Sequence, residues 1–319
     1  MSTVPTVRGP VDSSELGQTL MHEHVFVLDT EVERNYPGRW NESARRADAV
    51  QKLESAYDHG IRTIVDLTVI GLGRDVERVA EVAQQVRMNI VVATGLYTYN
   101  DVPMFFNFRG PGKLVDGPEL LTEFFIKDLT TGIAETGIRA GIIKCATDQS
   151  GLTPGVERVL RAAAIAHRET GAPISTHTHA GTRRGTDQQL VFRSEGVDLE
   201  RVVIGHCGDT TDLDYLRSLM DAGSFIGMDR FGLDLMLPFE ARVQTVADLC
   251  AQGYADRMVL SHDASCFTHN FDVADKARLL PNWHYNHLHE DVLPALLQRG
   301  VTPEQIDTML VTNPARILG

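Results

Sequence analysis

Residues 18–28 read QTLMHEHVFVL, an apolar run that carries His22 and His24 two positions apart. On a strand such residues point to one face, so the run presents a pair of imidazoles together. The same design returns along the chain: Lys144 in AGIIKCATD, His177 in APISTHTHAG, His206 in RVVIGHCGD and Asp263 in RMVLSHDAS. Each is a short β-branched run that delivers a coordinating side chain and then breaks into Gly, Asp, Ser or Thr, as a buried strand does when it ends in a functional group. Six such groups from five strand ends converge only if the strands are parallel and closed or nearly closed. The pattern predicts a two-metal hydrolytic site at the C-terminal ends of a closed parallel sheet.

Working outward, eight strand-like runs can be read in order: 18–28, 62–70, 89–97, 140–146, 173–179, 202–209, 224–232 and 258–265. Helical periodicity lies between most of them, at 47–60, 74–86, 120–137, 155–171, 211–223 and 243–253, and then at 292–300 and 303–318. Several of these segments close on glycine, a common residue just past a helix end. Strict alternation of this kind favours an α/β class, (β/α)8 TIM barrel over an open doubly wound sheet. An open sheet would also lack its phosphate fingerprint, since Gly71-Leu72-Gly73-Arg74 does not match GxGxxG. No long Pro/Gly/Ser linker divides the chain, so residues 1–319 read as a single metal-dependent hydrolase domain. Two long loops, 105–117 and 265–286, are placed to shape a binding site.

Composition bounds the partners. With 43% hydrophobic residues in 319, the chain can bury a full core, and its formal net charge of −13 excludes a nucleic-acid footprint, which needs clustered Lys and Arg. The pairs Arg45-Arg46 and Arg183-Arg184 read as isolated, solvated charges. The four cysteines, Cys145, Cys207, Cys250 and Cys266, form no CxxC spacing and read as small buried residues beside strand ends. There is no basic-then-apolar leader and no apolar run of membrane-spanning length, so a soluble, cytoplasmic setting without membrane contact is the default expectation.

Asp263 follows His262 at the mouth of the last strand, and a buried aspartate is costly unless paired or metal-bound. His177 and His206 supply imidazoles of the kind zinc prefers. His179 competes with His177 if its strand runs on past Thr178. His59 and His167 fall on helices, and His269, His284, His287 and His289 fall in the last long loop and helix. Lys144 is the discriminating residue. As an ammonium it would repel nearby divalent ions. Either it reaches an acidic partner above the barrel, or its amine has reacted with carbon dioxide to give a carbamate, an N6-carboxylysine able to bridge two metals.

Taken together, MHEH, IVDLTVIGLGRD, TGLYTYNDVP, IKCATD, PISTHTHAG, IGHCGDT, GMDRFGLD, LSHDAS and TNPARIL resemble the phosphotriesterase-like lactonases of the amidohydrolase superfamily, along essentially the whole chain. TGLYTYNDVP and DRFGLD point to the acyl-homoserine lactonase branch. The resemblance implies two divalent ions (zinc, or else cobalt, manganese or iron). His22, His24 and Asp263 would hold the more buried ion, His177 and His206 the more exposed one, and carboxylated Lys144 with a hydroxide would bridge them. It implies catalytic roles for Asp263 in proton transfer, Tyr97 beside the exposed ion and Arg230 beside the scissile group. It further implies opening of N-acyl-homoserine lactones (quorum quenching) with promiscuous phosphotriesterase activity, and a homodimer to which residues 99–112 contribute. An apolar channel is expected from Leu72, Met104, Phe105, Met236 and Phe267. A dedicated phosphotriesterase, another amidohydrolase-type esterase, and a non-catalytic metal-bound barrel remain as alternatives.

Overall fold

The structure is a computed structural model that describes residues 2–319. The eight runs become eight strands: β1 Gln18–Val27, β2 Ile61–Asp66, β3 Asn89–Gly95, β4 Ile142–Thr147, β5 Ile174–Thr178, β6 Val202–Ile204, β7 Phe225–Met228 and β8 Met258–Leu260. Each is parallel to the next in sequence order. A ninth strand, β9 Ser265–Thr268, pairs in parallel with β1, placing Ser265 opposite His24. It lies in what reads from sequence as a loop. The result is a closed (β/α)8 barrel with helices outside, and none of its helices is long and apolar enough to cross a membrane among the described residues.

The crossover helices begin where the sequence offers a cap. Asn41, Asp75, Thr153 and Asp212 each accept a backbone N–H in the first turn of the helices Glu42–Asp58, Val76–Ala83, Pro154–Thr170 and Leu213–Asp221. One helix, Arg184–Ser194, is absent from the periodicity reading. Its inward face is mixed: beside Val191 and Phe192, buried Gln188 donates to His177 O at 2.9 Å, and buried Gln189 to Leu219 O and Ser224 Oγ, both at 2.8 Å. Amides satisfied in this way sit where periodicity expects aliphatic residues.

The barrel interior has two layers. Below, Met21, Val65, Val91, Ile142, Val203, Phe225 and Val259 fill it, closed underneath by Val4, Leu16, Ile317 and Leu318. Above, the functional side chains begin. The β1–β2 ladder slips between Leu20 and Glu23, so adjacent Met21 and His22 both face inward, one in the lower core and one in the upper pocket. An irregularity of this kind re-aims a side chain beside a site.

Between β8 and β9 the chain turns at Asp263, whose φ is +55°. Here the barrel closes against β1 with only two backbone bonds, Asp263 N to His22 O (3.0 Å) and His24 N to Ala264 O (2.9 Å). Side chains supply the rest: His22 N donates to Ser261 Oγ (2.9 Å), and Glu23 makes four further bonds. Its Oε1 accepts from Ser261 Oγ (3.0 Å), His262 N (2.9 Å) and His262 Nδ1 (2.7 Å), and its Oε2 from Ala264 N (2.8 Å). His262 Nε2 accepts from Leu288 N, so its proton is on Nδ1 and the ring donates to Glu23. Burial pushes the Glu23 carboxyl up to about 8, against hydrogen bonds from Ala264, His262 and Ser261 that pull it down. Glu23→Ala leaves four buried donors without an acceptor. We expect the unfolding free energy to fall by about 3 kcal/mol or more, measured by urea denaturation. A loss below about 1 kcal/mol would mean that the two backbone bonds and the β9–β1 ladder suffice to close the barrel.

Candidate metal centre

At the C-terminal end of the strands lies a pocket of about 340 Å³, and His22, His24, Tyr97, Lys144, His177, His206, Arg230 and Asp263 all line it. The structure thus brings together every site residue named from the sequence. His22 and His24 come from β1, Lys144 from the middle of β4 and His177 from β5. His206 and Asp263 lie just past β6 and β8, both with positive φ (+59° and +55°). Left-handed backbone is uncommon for residues other than glycine and gathers at functional sites. At these two strand ends it turns the ligand-type side chain inward. His179 lies past the end of β5, bonds Thr182 Oγ1 at 2.9 Å and does not line the pocket.

Each imidazole has one nitrogen fixed by the protein and the other turned inward. Asp229 accepts from His22 Nδ1 (2.8 Å) through Oδ2, and from His206 Nδ1 (2.9 Å) and His206 N (2.8 Å) through Oδ1. Thr68 Oγ1 donates to Asp66 Oδ1, so it accepts from His24 Nδ1 at 2.8 Å. Asp148 Oδ2 accepts from His177 Nε2 at 2.6 Å. These bonds place the ring protons outward and leave the lone pairs of His22 Nε2, His24 Nε2, His206 Nε2 and His177 Nδ1 facing the pocket. Burial keeps His22 and His206 neutral by lowering them well below the usual range, and lowers His177 to about 4. The hydrogen bond from His177 holds Asp148 down at about 2.

Into this ring of lone pairs comes Asp263. Its Oδ1 lies 3.1 Å from His24 Nε2 and 3.5 Å from His22 Nε2, and its Oδ2 lies 3.8 Å from His206 Nε2. Burial alone would raise the Asp263 carboxyl, but the positive groups around it, the Arg230 guanidinium that donates to it among them, hold it well below the ordinary range. A carboxylate and a deprotonated imidazole nitrogen at 3.1 Å are two acceptors, and they repel unless a cation joins them. Nitrogen and oxygen donors of this kind fit a divalent transition ion. Lys144 is fully buried, and its Nζ donates to His22 Nε2 at 2.7 Å and to Thr176 O at 3.3 Å. Burial lowers its ammonium below the ordinary lysine value, although Asp263 and Asp229 pull the other way.

Asp229 also stands close enough to His22 and His206 to form a ligand group with them. Both its oxygens are already taken by ring N–H donors, so it orients the imidazoles rather than offering them a rival ligand. Gly227 makes room for it, since a Cβ there would meet Asp229 Oδ2 at 2.2 Å.

Arg230 donates through Nε to Asp263 Oδ2 and through Nη1 to Asp209 Oδ2, both at 2.9 Å. Tyr97 OH bonds Tyr99 OH and lies 3.2 Å from His177 Nδ1. Burial, reinforced by Tyr99, raises Tyr97 well above the ordinary tyrosine value. The expected apolar channel is partly corrected. Leu72 and Met236 line the pocket, joined by Leu233, Phe271 and Trp283. Met104 and Phe105 are exposed and stand outside it, and Phe267 lines a neighbouring cavity.

Glu23, Asp66, Asp148 and Asp229 escaped the sequence reading. The signal was present, since each is an acid within or just past a buried apolar run, where an unpaired carboxylate is expensive.

The Phosphotriesterase family profile matches residues 2–318. A protein of Mycobacterium tuberculosis named phosphotriesterase homology protein is 60% identical over 321 residues, covering 99% of this chain and 98% of its own. An aryldialkylphosphatase of Saccharolobus solfataricus is 40% identical over 317 residues, 98% of each chain. A solved structure of the phosphotriesterase from Mycobacterium tuberculosis superposes with a TM-score of 0.98 at 60% identity, over 99% of this chain and 98% of that one.

Because Asp229 fixes two imidazoles and Asp148 one, their loss should be unequal. Asp229→Asn is expected to weaken divalent-ion affinity by roughly 10- to 100-fold, with a smaller loss in Asp148→Asn, as measured by chelator competition. Unchanged affinity in Asp229→Asn would mean that the tautomer lock is dispensable.

Proposed function

The chain belongs to the phosphotriesterase family, and on that footing we propose that it is a binuclear-metal lactonase opening N-acyl-homoserine lactones, with phosphotriester hydrolysis as a side activity. The observation that carries the hydrolytic part is the set of four inward lone pairs around Asp263 and Lys144. In this reading His22, His24 and Asp263 hold one ion and His177 and His206 the other. Lys144 would help to hold both as a carbamate, formed when its amine bonds to carbon dioxide and releases a proton. The lactone part is supported by TGLYTYNDVP and DRFGLD, and by the pocket's apolar lining of Leu72, Leu233, Met236, Phe271 and Trp283. Such a lining suits a substrate with an apolar arm.

Ions held there supply an acidified water and a polarised carbonyl. The protein's own groups do the rest. Asp263 takes a proton from the attacking water and passes it to the ring oxygen as the lactone C–O bond opens, giving the free alcohol and a carboxylic acid that loses its remaining proton to solvent. Arg230 keeps the Asp263 carboxylate oriented, and its charge is fixed by Asp263 and Asp209, which push its pKa up against burial. Tyr97, held protonated, offers its hydroxyl toward the substrate oxygens beside His177.

A dedicated phosphotriesterase is the second reading, favoured by the 40% identical relative named an aryldialkylphosphatase. Comparing kcat/KM for homoserine lactones of increasing chain length with that for paraoxon separates the two. Lactones are expected to be the better substrates, and a wide margin for paraoxon would overturn the assignment. For Lys144→Ala we expect loss of bound metal and of activity, with partial rescue by short carboxylic acids. Full activity without rescue would rule out the bridging carbamate.

A further inference from the structure

Behind the catalytic pocket lies a larger cavity of about 650 Å³, between the helix Glu42–Asp58, strand β9 and the segment 271–286. The two share Ser265, Thr268, Phe271 and Trp283 as lining. In a chain of formal net charge −13, three cations line this cavity, Arg45, Lys52 and Lys276, against one carboxylate, Asp48. Lys52 is committed: its Nζ bonds Asp48 Oδ2 and Cys266 O, both at 2.7 Å. Arg45 and Lys276 are not. Among the described residues neither has a carboxylate within 4.0 Å. Arg45 is half-buried and lies over the Phe267 ring at 4.1 Å, with its buried Nε unpartnered. Lys276 Nζ reaches only Ser265 O (3.1 Å) and the Trp283 face (4.5 Å). Burial, then the charge of Lys52, pulls Lys276 down to about 8. Ser265 is 5% exposed and its Oγ is buried without a partner.

Cations partly withdrawn from water and left without a carboxylate call for an anion, and aromatic walls call for apolar surface. We propose that this cavity binds a single-chain amphipathic anion, its oxyanion met by Arg45 and Lys276 and its apolar body lying on Phe267, Phe271 and Trp283. The site is separate from the metal centre and does not rest on the lactone assignment.

Decanesulfonate below its micelle-forming concentration is the probe, because a sulfonate is a poor ligand for metal ions. Binding to the metal-loaded protein is read by calorimetry and by tryptophan fluorescence. Of the chain's two tryptophans, Trp283 lines the cavity and Trp40 lies 5.4 Å from Phe267. We expect saturable one-to-one binding, weakened about tenfold in Lys276→Met and in Arg45→Met, the size of one charge-assisted contact. Lys276→Arg should bind as the parent does, and decyltrimethylammonium should not bind. The proposal is overturned by an absence of saturable binding, by equal binding of the cationic probe, by unchanged affinity in both methionine variants, or by equal losses in Lys276→Arg and Lys276→Met.

Discussion

An imidazole offers a lone pair to a cation through one nitrogen only when the other carries the proton, and the upper half of this barrel is organised around that rule. Asp229 settles the question for His22 and His206 at once, Thr68 settles it for His24 and Asp148 for His177. Without these partners the same histidines could adopt either tautomer, and the facing nitrogens would as readily be donors as ligands. Burial then keeps His22, His177 and His206 neutral, by lowering each below the ordinary imidazole range. Tautomer and charge are therefore set by the fold before any ion arrives, which is what preorganisation means at a site of this kind.

That organisation has a structural cost, and the barrel meets it at its seam. Asp263 reaches the centre only because β8 stops at Leu260 and the chain turns through a left-handed residue before resuming as β9. The interruption removes ladder bonds where the last strand should close on the first. Glu23 replaces them with four side-chain bonds to the interrupted segment. The HEH triplet thus joins two tasks on consecutive residues: the histidines point to the site, and the glutamate ties down the turn that delivers Asp263.

Much of this was legible in the sequence because it repeats. Eight apolar runs ending in polar groups state the strand count, and six ligand-type residues at five of those ends state the convergence. The helix Arg184–Ser194 was not legible, since Gln188 and Gln189 interrupt the apolar stripe on its buried face, leaving only Val191 and Phe192. Strand β9 was hidden for another reason: its pairing depends on a long-range partner, β1, that no local pattern announces. Glu23, Asp66, Asp148 and Asp229 were passed over because an acid next to a candidate ligand reads as one more candidate or as a loop residue. Their roles depend on which nitrogen of which ring they face, and only geometry carries that.

The substrate-facing wall is the least legible part, and for the same reason it is where this barrel can differ from its relatives. Leu233 and Met236 follow β7, and Phe271 and Trp283 follow β9, so none is fixed by a strand register. Expectations built on loop position placed Met104 and Phe105 there, yet these residues face outward. The segment after β9 also does double duty. Phe271 and Trp283 border both the catalytic pocket and the cationic cavity behind it. A substitution there that reshapes one cavity must reshape the other, because the two are faces of a single wall. Selectivity at the metal centre and occupancy of the second cavity are consequently coupled by packing, with no change required in the ligands themselves.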